Sequence, residues 1–141
     1  MKIGELAKLS GLTTHTLRYY ETLGLIVPRK SVENNYRDYS QHDLHSARFI
    51  KRCKDSGFSL DDTASLLSIK DAKSEHICAE AKSITETKIQ DIKVKIQQLQ
   101  QLEKTLTELA QKCCGGSESA EFCSIIAKLE APEKEANHVV N

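Results

Sequence analysis

Four cysteines stand where they could hold a soft divalent cation: Cys78, Cys113, Cys114 and Cys123. Thiolates gathered at one place repel one another unless a cation sits among them. Zinc takes four such ligands tetrahedrally, with sulfur at roughly 2.3 Å. Cys113 and Cys114 are adjacent and diverge from one backbone, so both binding a single ion would be strained. They are better placed to serve two ions that a further thiolate could bridge. Glu118, in the segment between Cys114 and Cys123, could offer an oxygen ligand or simply face water, and His76, just before Cys78, could assist. A lone exposed histidine at a helix start is more commonly a bystander. His15, His42, His45 and His138 show no ligand spacing. Cys53 falls on an apolar helical face and reads as a small buried thiol.

The elements that position these cysteines follow from the apolar spacing. From Glu75 to Lys112 the chain has no Gly and no Pro, and Ile89, Ile92, Ile96, Leu99, Leu102, Leu106 and Leu109 recur in steps of three and four. That is the seam of a helix that pairs with another helix. A helix over that stretch would be roughly 57 Å long. A chain of 141 residues cannot cover such a seam with the rest of itself, so a second copy is the expected cover. If two copies run antiparallel, Cys78 of one approaches Cys113, Cys114 and Cys123 of the other, and two equivalent clusters form. Parallel pairing would leave each Cys78 more than roughly 50 Å from the other three. Gly115-Gly116 is expected to end the long helix. A loop over 117–121 leads to a last helix with Phe122, Ile125, Ile126 and Leu129 on one face. Pro132 stops that helix, and residues 133–141 read as a frayed tail.

The front of the chain has a different pattern. Met1 to Leu9 reads as a short amphipathic helix with Ile3, Leu6 and Ala7 on one face. Ser10-Gly11-Leu12 is a turn signal, and Thr13 or Thr14 can cap a second helix through Leu17 and Tyr20 to about Leu23. Helix, glycine turn and helix within so short a span is the layout of a helix-turn-helix, although small helical proteins also use it as plain packing. Thr14, His15, Arg18 and Tyr19 would be exposed on the second helix, able to reach phosphates or base edges. Asn34-Asn35 suits a hairpin turn. With Arg29 and Lys30 before it and Tyr36, Arg37 and Tyr39 after it, the hairpin fits a wing on a phosphate backbone, or a polar hairpin whose tyrosines pack inward. Ser40-x-x-Asp43 and Ser59-x-x-Asp62 open two further helices as capping boxes with Asp in the Glu position.

Composition narrows the class. Apolar residues make up 39% of the chain and there is no Trp, which allows only a modest core. The sequence has no run long enough to span a bilayer and no signal-peptide core, so a cytoplasmic protein is expected. Net charge is zero, yet residues 1–70 carry eleven Lys and Arg against eight Asp and Glu, and residues 71–141 carry nine against twelve. The front half suits a polyanion modestly better than the back half. Five cysteines, an odd number, argue against a disulfide framework and for thiolate ligation or redox chemistry. Zinc catalysis would need an open coordination position and a general base in a cleft, and no such constellation is visible, so an enzyme is not expected.

Several motifs carry a specific resemblance. Ile3-Gly4-Glu5-Leu6-Ala7, Thr16-Leu17-Arg18-Tyr19-Tyr20-Glu21, Asn35-Tyr36-Arg37-Asp38-Tyr39 and Gly57-Phe58-Ser59-Leu60 with Leu66-Leu67 are similar to the DNA-binding head of the MerR family of transcription regulators. The tail Cys113-Cys114-Gly115-Gly116-Ser117-Glu118-Ser119-Ala120-Glu121-Phe122-Cys123 resembles that of the family's zinc-responsive branch. The resemblance covers residues 1 to about 130. It implies a homodimer of winged heads held apart by an antiparallel two-helix coil. Arg18, Tyr19, Tyr36 and Arg37 would then contact the DNA backbone. A cysteine at position 78 implies a divalent-metal sensor, because copper(I) sensors of the family have serine there. Glu118 stands where the zinc branch often has histidine. The resemblance also implies double-stranded promoter DNA and RNA polymerase as partners, on promoters whose two polymerase elements are set too far apart.

The expected fold is therefore mainly α: a winged helix-turn-helix head (1–74), a long antiparallel coiled-coil dimerisation helix (75–112), and a C-terminal metal-binding loop with a short helix (113–141). The expected function is a metal-responsive regulator, zinc first with two ions per site, that distorts promoter DNA to switch on metal efflux or resistance genes. Cadmium or lead sensing, or a thiol redox switch, are the alternatives.

Overall fold

A computed structural model of the chain describes residues 1–30 and 36–132. The expected Asn34-Asn35 turn and the tail 133–141 lie outside the described residues. The chain forms two compact units, Met1–Gln90 and Asp91–Asn141.

In the first unit, α1 (Ile3–Ser10) and α2 (Thr14–Thr22) are separated by a tight turn at Gly11, whose φ of +79° places it in the left-handed region that glycine enters without steric cost. The Thr13 hydroxyl accepts the Thr16 N–H at 3.0 Å and so caps α2. Two short antiparallel strands follow, β1 (Arg29–Lys30) and β2 (Arg37–Asp38), in register Arg29 with Asp38 and Lys30 with Arg37. They are the base of the wing. The second strand is tied to the start of the chain, because the Tyr39 N–H donates to the Met1 carbonyl at 2.8 Å.

Next come α3 (Gln41–Asp55) and α4 (Leu60–Asp71). Both expected capping boxes form: Ser40 and Asp43 exchange side chain–backbone hydrogen bonds at 2.8 and 3.1 Å, and Ser59 and Asp62 at 3.4 and 3.1 Å. The core between these helices is built from Leu6, Leu17, Tyr20, Ile26, Tyr39, Leu44, Ala47, Ile50 and Leu67. Burying each large aliphatic side chain here contributes roughly 1.5–3 kcal/mol. Tyr39 is the wing residue that packs inward, as the alternative hairpin reading had it, and Cys53 is buried at the end of α3. Thr63, at a position with no apolar signature, is also fully buried, its hydroxyl donating to the Ser59 carbonyl at 2.8 Å.

The long helix, α5, runs from Cys78 to Gln111. It is shorter at both ends than the uninterrupted stretch suggested. At the front, a 3-10 turn over Lys73–Glu75 and extended backbone at His76 end the preceding segment first. At the back, Lys112 and Cys113 donate to carbonyls only three residues earlier, which tightens and closes the last turn before any glycine is reached. Gly115, with φ +76°, thus shapes the following loop and is not the helix stop. In the second unit, a 3-10 turn at Ala120–Phe122 leads into α6 (Ser124–Glu130), which ends two residues before Pro132. No residue of α5 is buried within the single chain; Leu99, Leu102 and Leu106 are 65%, 58% and 62% exposed. No helix among the described residues is long and apolar enough to cross a membrane.

Candidate metal centre and nucleic-acid interface

In the second unit the loop after α5 closes on itself. The Cys123 and Cys113 sulfurs lie 4.0 Å apart, too far for a disulfide. Two sulfurs bound at about 2.3 Å to one tetrahedral ion would be about 3.8 Å apart, so the pair is already near ligand spacing. The Cys114 sulfur sits 4.0 Å from a Glu118 carboxylate oxygen. Cys113, Cys114, Glu118 and Cys123 together line one cavity of about 370 Å³. Short-range hydrogen bonds set its shape: the Gly115 N–H donates to the Cys113 sulfur at 3.4 Å, and the Ser119 hydroxyl accepts the Glu121 N–H at 3.2 Å. A side chain at Gly116 would meet the Glu118 carboxylate at 2.7 Å, so the loop closes with bare backbone there.

Local electrostatics favour a thiolate at Cys123. The Ile126 N–H in the first turn of α6, then the Ile125 N–H and the Cys113 thiol, hold its pKa below the ordinary thiol range. Burial does the opposite to Cys53, raising its pKa and leaving it a neutral core thiol. All five cysteines are unpaired.

Cys78 is the first residue of α5 and is exposed. Beside it Glu80 accepts the Ile77 N–H at 2.8 Å and lies 2.9 Å from His76 Nδ1. Those two hydrogen bonds, His76 first, hold the Glu80 carboxyl below its usual pKa range. His76 thus spends one ring nitrogen on Glu80. Among the described residues, no three His, Cys, Asp or Glu side chains of one chain converge to hold an ion by themselves. The expected donors form a pair (Cys113 and Cys123), its neighbours (Cys114 and Glu118), and a separate exposed thiol at Cys78.

The head presents a second surface. His15, Arg18 and Tyr19 are exposed on α2, while Thr14, in its first turn, is half-buried. Arg18, Lys30 and Arg37 line one recess between α2 and the wing, with Glu21 as its acidic member. Arg29 and Tyr36 are exposed on the wing. Arg37 Nε donates to Glu21 Oε1, and the Tyr39 hydroxyl donates to Glu21 Oε2 at 3.3 Å. The Tyr39 hydroxyl is pushed above its usual pKa, by burial first and then by the Glu21 charge. Lys2 stacks over the Tyr36 ring, 5.0 Å from its centre. The expected residues from Thr14 to Arg37 therefore fall on α2 and the adjoining wing strands. Lys30, read with Arg29 as part of the wing, lies beside them, as do Glu21 and Lys2, which the sequence did not single out. Only the Tyr20-Glu21 dipeptide of the helix motif hinted at Glu21, because its partners are distant in sequence.

The chain is similar to known proteins over most of its length. The profile of the MerR HTH family regulatory protein matches residues 1–69, and that described as MerR, DNA binding matches residues 44–109. The chain is 36% identical over 129 residues to the HTH-type transcriptional regulator ZntR of Escherichia coli strain K12, covering 92% of each chain. It is 39% identical over 128 residues to the mercuric resistance operon regulatory protein of Bacillus cereus, covering 91% of this chain and 96% of that one. Its fold resembles the crystal structure of the transcription regulator PbrR691 from Ralstonia metallidurans CH34 in complex with lead(II), with a TM-score of 0.81 and 31% identity over 92% of this chain and 98% of the other. These relatives are regulators, not enzymes, which agrees with the absence of a catalytic constellation in the sequence. On the match of its head and long helix to the family models, and on its likeness to metal-responsive regulators over most of its length, the chain belongs to the MerR family of helix-turn-helix transcription regulators, among its metal-responsive members.

Proposed function

We propose that the protein is a homodimeric zinc sensor that binds promoter DNA through its two heads and activates transcription when the ion is bound. The observation that carries this reading is the tail cavity, in which the Cys113 and Cys123 sulfurs stand 4.0 Å apart with Cys114 and Glu118 on the same wall. Cys113 and Cys123 would hold one ion, and Cys114 with Glu118 a second. Cys78 of the partner subunit, brought there by antiparallel pairing of the exposed α5 seams, would complete both sets. The thiolate donors suit zinc, and they suit cadmium or lead as the second reading; the kinship to proteins named for mercury and lead keeps that reading in play. The dication would supply charge compensation for thiolates that otherwise repel.

The residues of this chain do the rest. Arg18, Tyr19, Arg29, Tyr36 and Arg37 hold the duplex backbone, and Thr14 and His15 lie where α2 would enter the major groove. Each surplus base pair between two promoter elements rotates them by roughly 34–36° about the axis. Bending and untwisting the duplex restores their alignment for RNA polymerase at a cost on the order of 1–6 kcal/mol, offset by the added backbone contacts. Metal need only shift the balance between two DNA-bound arrangements. Metal efflux or sequestration genes are the fitting targets.

The test is in vitro transcription from a long-spacer promoter, titrated separately with buffered zinc, cadmium, lead and mercury. Zinc is expected to activate at the lowest free concentration. Cys114→Ser should abolish activation while leaving promoter affinity intact. Equal loss of both would contradict the separation of sensing from DNA binding.

A further inference from the structure

A carboxylate on a surface that binds DNA should be a liability, yet Glu21 sits in the recess beside Arg18, Lys30 and Arg37. Its side chain is only 14% exposed, against 49% for Arg37. Both of its oxygens are engaged by wing residues: one takes the Arg37 Nε–H, the other the Tyr39 hydroxyl at 3.3 Å. Tyr39 in turn is buried and bonded through its backbone to Met1, so the strand carrying Arg37 has a fixed anchor. A guanidinium has five N–H donors in a rigid fork. Holding it at Nε restrains the fork and leaves the two terminal nitrogens available to another acceptor, on a side chain that is half exposed.

From this geometry we infer that Glu21 is a positioning residue for DNA binding, which locks Arg37 so that its terminal nitrogens meet a backbone phosphate without first losing side-chain freedom. The inference rests on the reading of the head as a duplex-binding surface and adds a residue that does not itself touch DNA. Arginine left unrestrained would lose rotamer entropy on binding, whereas one already held has less to lose.

Simple electrostatics and positioning predict opposite signs. Removing a negative charge near phosphates should tighten binding if Glu21 acts only through its charge. If Glu21 positions Arg37, removing it should weaken binding. The experiment measures affinity of the full-length protein for a duplex carrying its own promoter site, across a salt series, for Glu21→Ala, Glu21→Gln, Arg37→Ala and the Glu21→Ala/Arg37→Ala double variant. Glu21→Gln keeps the side-chain volume and guards against a folding defect, which circular dichroism would report. Glu21→Ala is expected to weaken binding roughly tenfold, about the worth of one charge-assisted hydrogen bond, with Glu21→Gln intermediate. The log–log salt slope should fall by about one for each head, as it does when a phosphate contact is lost. The double variant should be no weaker than Arg37→Ala alone. Tighter binding by Glu21→Ala, or full additivity in the double variant, would overturn the inference. An Arg37→Ala variant with unchanged affinity and slope would instead remove the phosphate contact on which both readings depend.

Discussion

Substituting Leu102 by Ala tests whether the exposed seam of α5 is the dimer interface. Leu102 is 58% exposed in the single chain. Burying a leucine completely is worth about 1.5–3 kcal/mol, so covering the exposed part would contribute about 1–2 kcal/mol. A symmetric dimer loses this twice, about 2–4 kcal/mol in all, which corresponds to a rise in the dimer Kd of roughly 30- to 700-fold. Sedimentation equilibrium over a range of protein concentrations measures the change directly. Val27→Ala is the control, because Val27 is 74% exposed but belongs to the head and not to the apolar repeat of α5. Its Kd should match that of the parent. An unchanged Kd for Leu102→Ala, or an equal rise for Val27→Ala, would show that exposure along α5 does not mark the interface and would remove the route by which Cys78 reaches the tail of another subunit.

Three further outcomes are expected. Gly11→Ala should lower stability by about 1–2 kcal/mol, because it forces a side chain into left-handed backbone, where the new Cβ would also lie 2.9 Å from Lys51 Cε; Gly4→Ala, inside α1 with open space around it, should instead raise stability by about 0.5–1 kcal/mol. Thermal unfolding followed by circular dichroism distinguishes the two signs. Ser40→Ala and Ser59→Ala should each cost about 1 kcal/mol through loss of a helix cap, and should add in the double variant because they serve different helices; chemical denaturation checks both. Alkylation of metal-free protein, followed peptide by peptide with mass spectrometry, should show Cys123 reacting with a pH midpoint below the ordinary thiol range and Cys53 above it. The thiolate is the reactive form, so a lowered pKa extends reactivity to lower pH. Equal midpoints would mean that the N–H groups of α6 do not act on Cys123.

Legibility in the sequence followed the range of the interaction. The Thr13 cap, the Gly11 turn and the Ser40/Asp43 and Ser59/Asp62 boxes are complete within a few residues, so residue type and spacing are enough to read them. The seam of α5 was readable because a helical period repeats many times. Its ends were not, since the Lys73–Glu75 turn and the tightened bonds at Lys112 and Cys113 depend on local backbone geometry with no marked residue type. The tail cysteines stood out as candidate donors by residue type and spacing, and the loop brings Cys113 and Cys123 together across ten residues. Glu21 with Arg37, and Tyr39 with Met1, are joined across longer separations and by tertiary packing, which no local pattern encodes. Thr63 is hidden for a different reason: its hydroxyl is satisfied one turn back, which lets a residue with no apolar signature occupy a buried position.

The tail loop is held in shape by its own neighbours: Gly115 on Cys113, Ser119 on Glu121, and Cys123 on the carbonyl of Ala120. On the proposed reading of this loop as the metal site, its donors have met much of their ordering cost before any ion arrives. Capture then needs no refolding of the pocket, so the speed of response is set by arrival and release of the ion. Discrimination among ions has to come from how well each one suits a cradle that already exists, and a poorly matched ion gains little help from the loop rearranging around it.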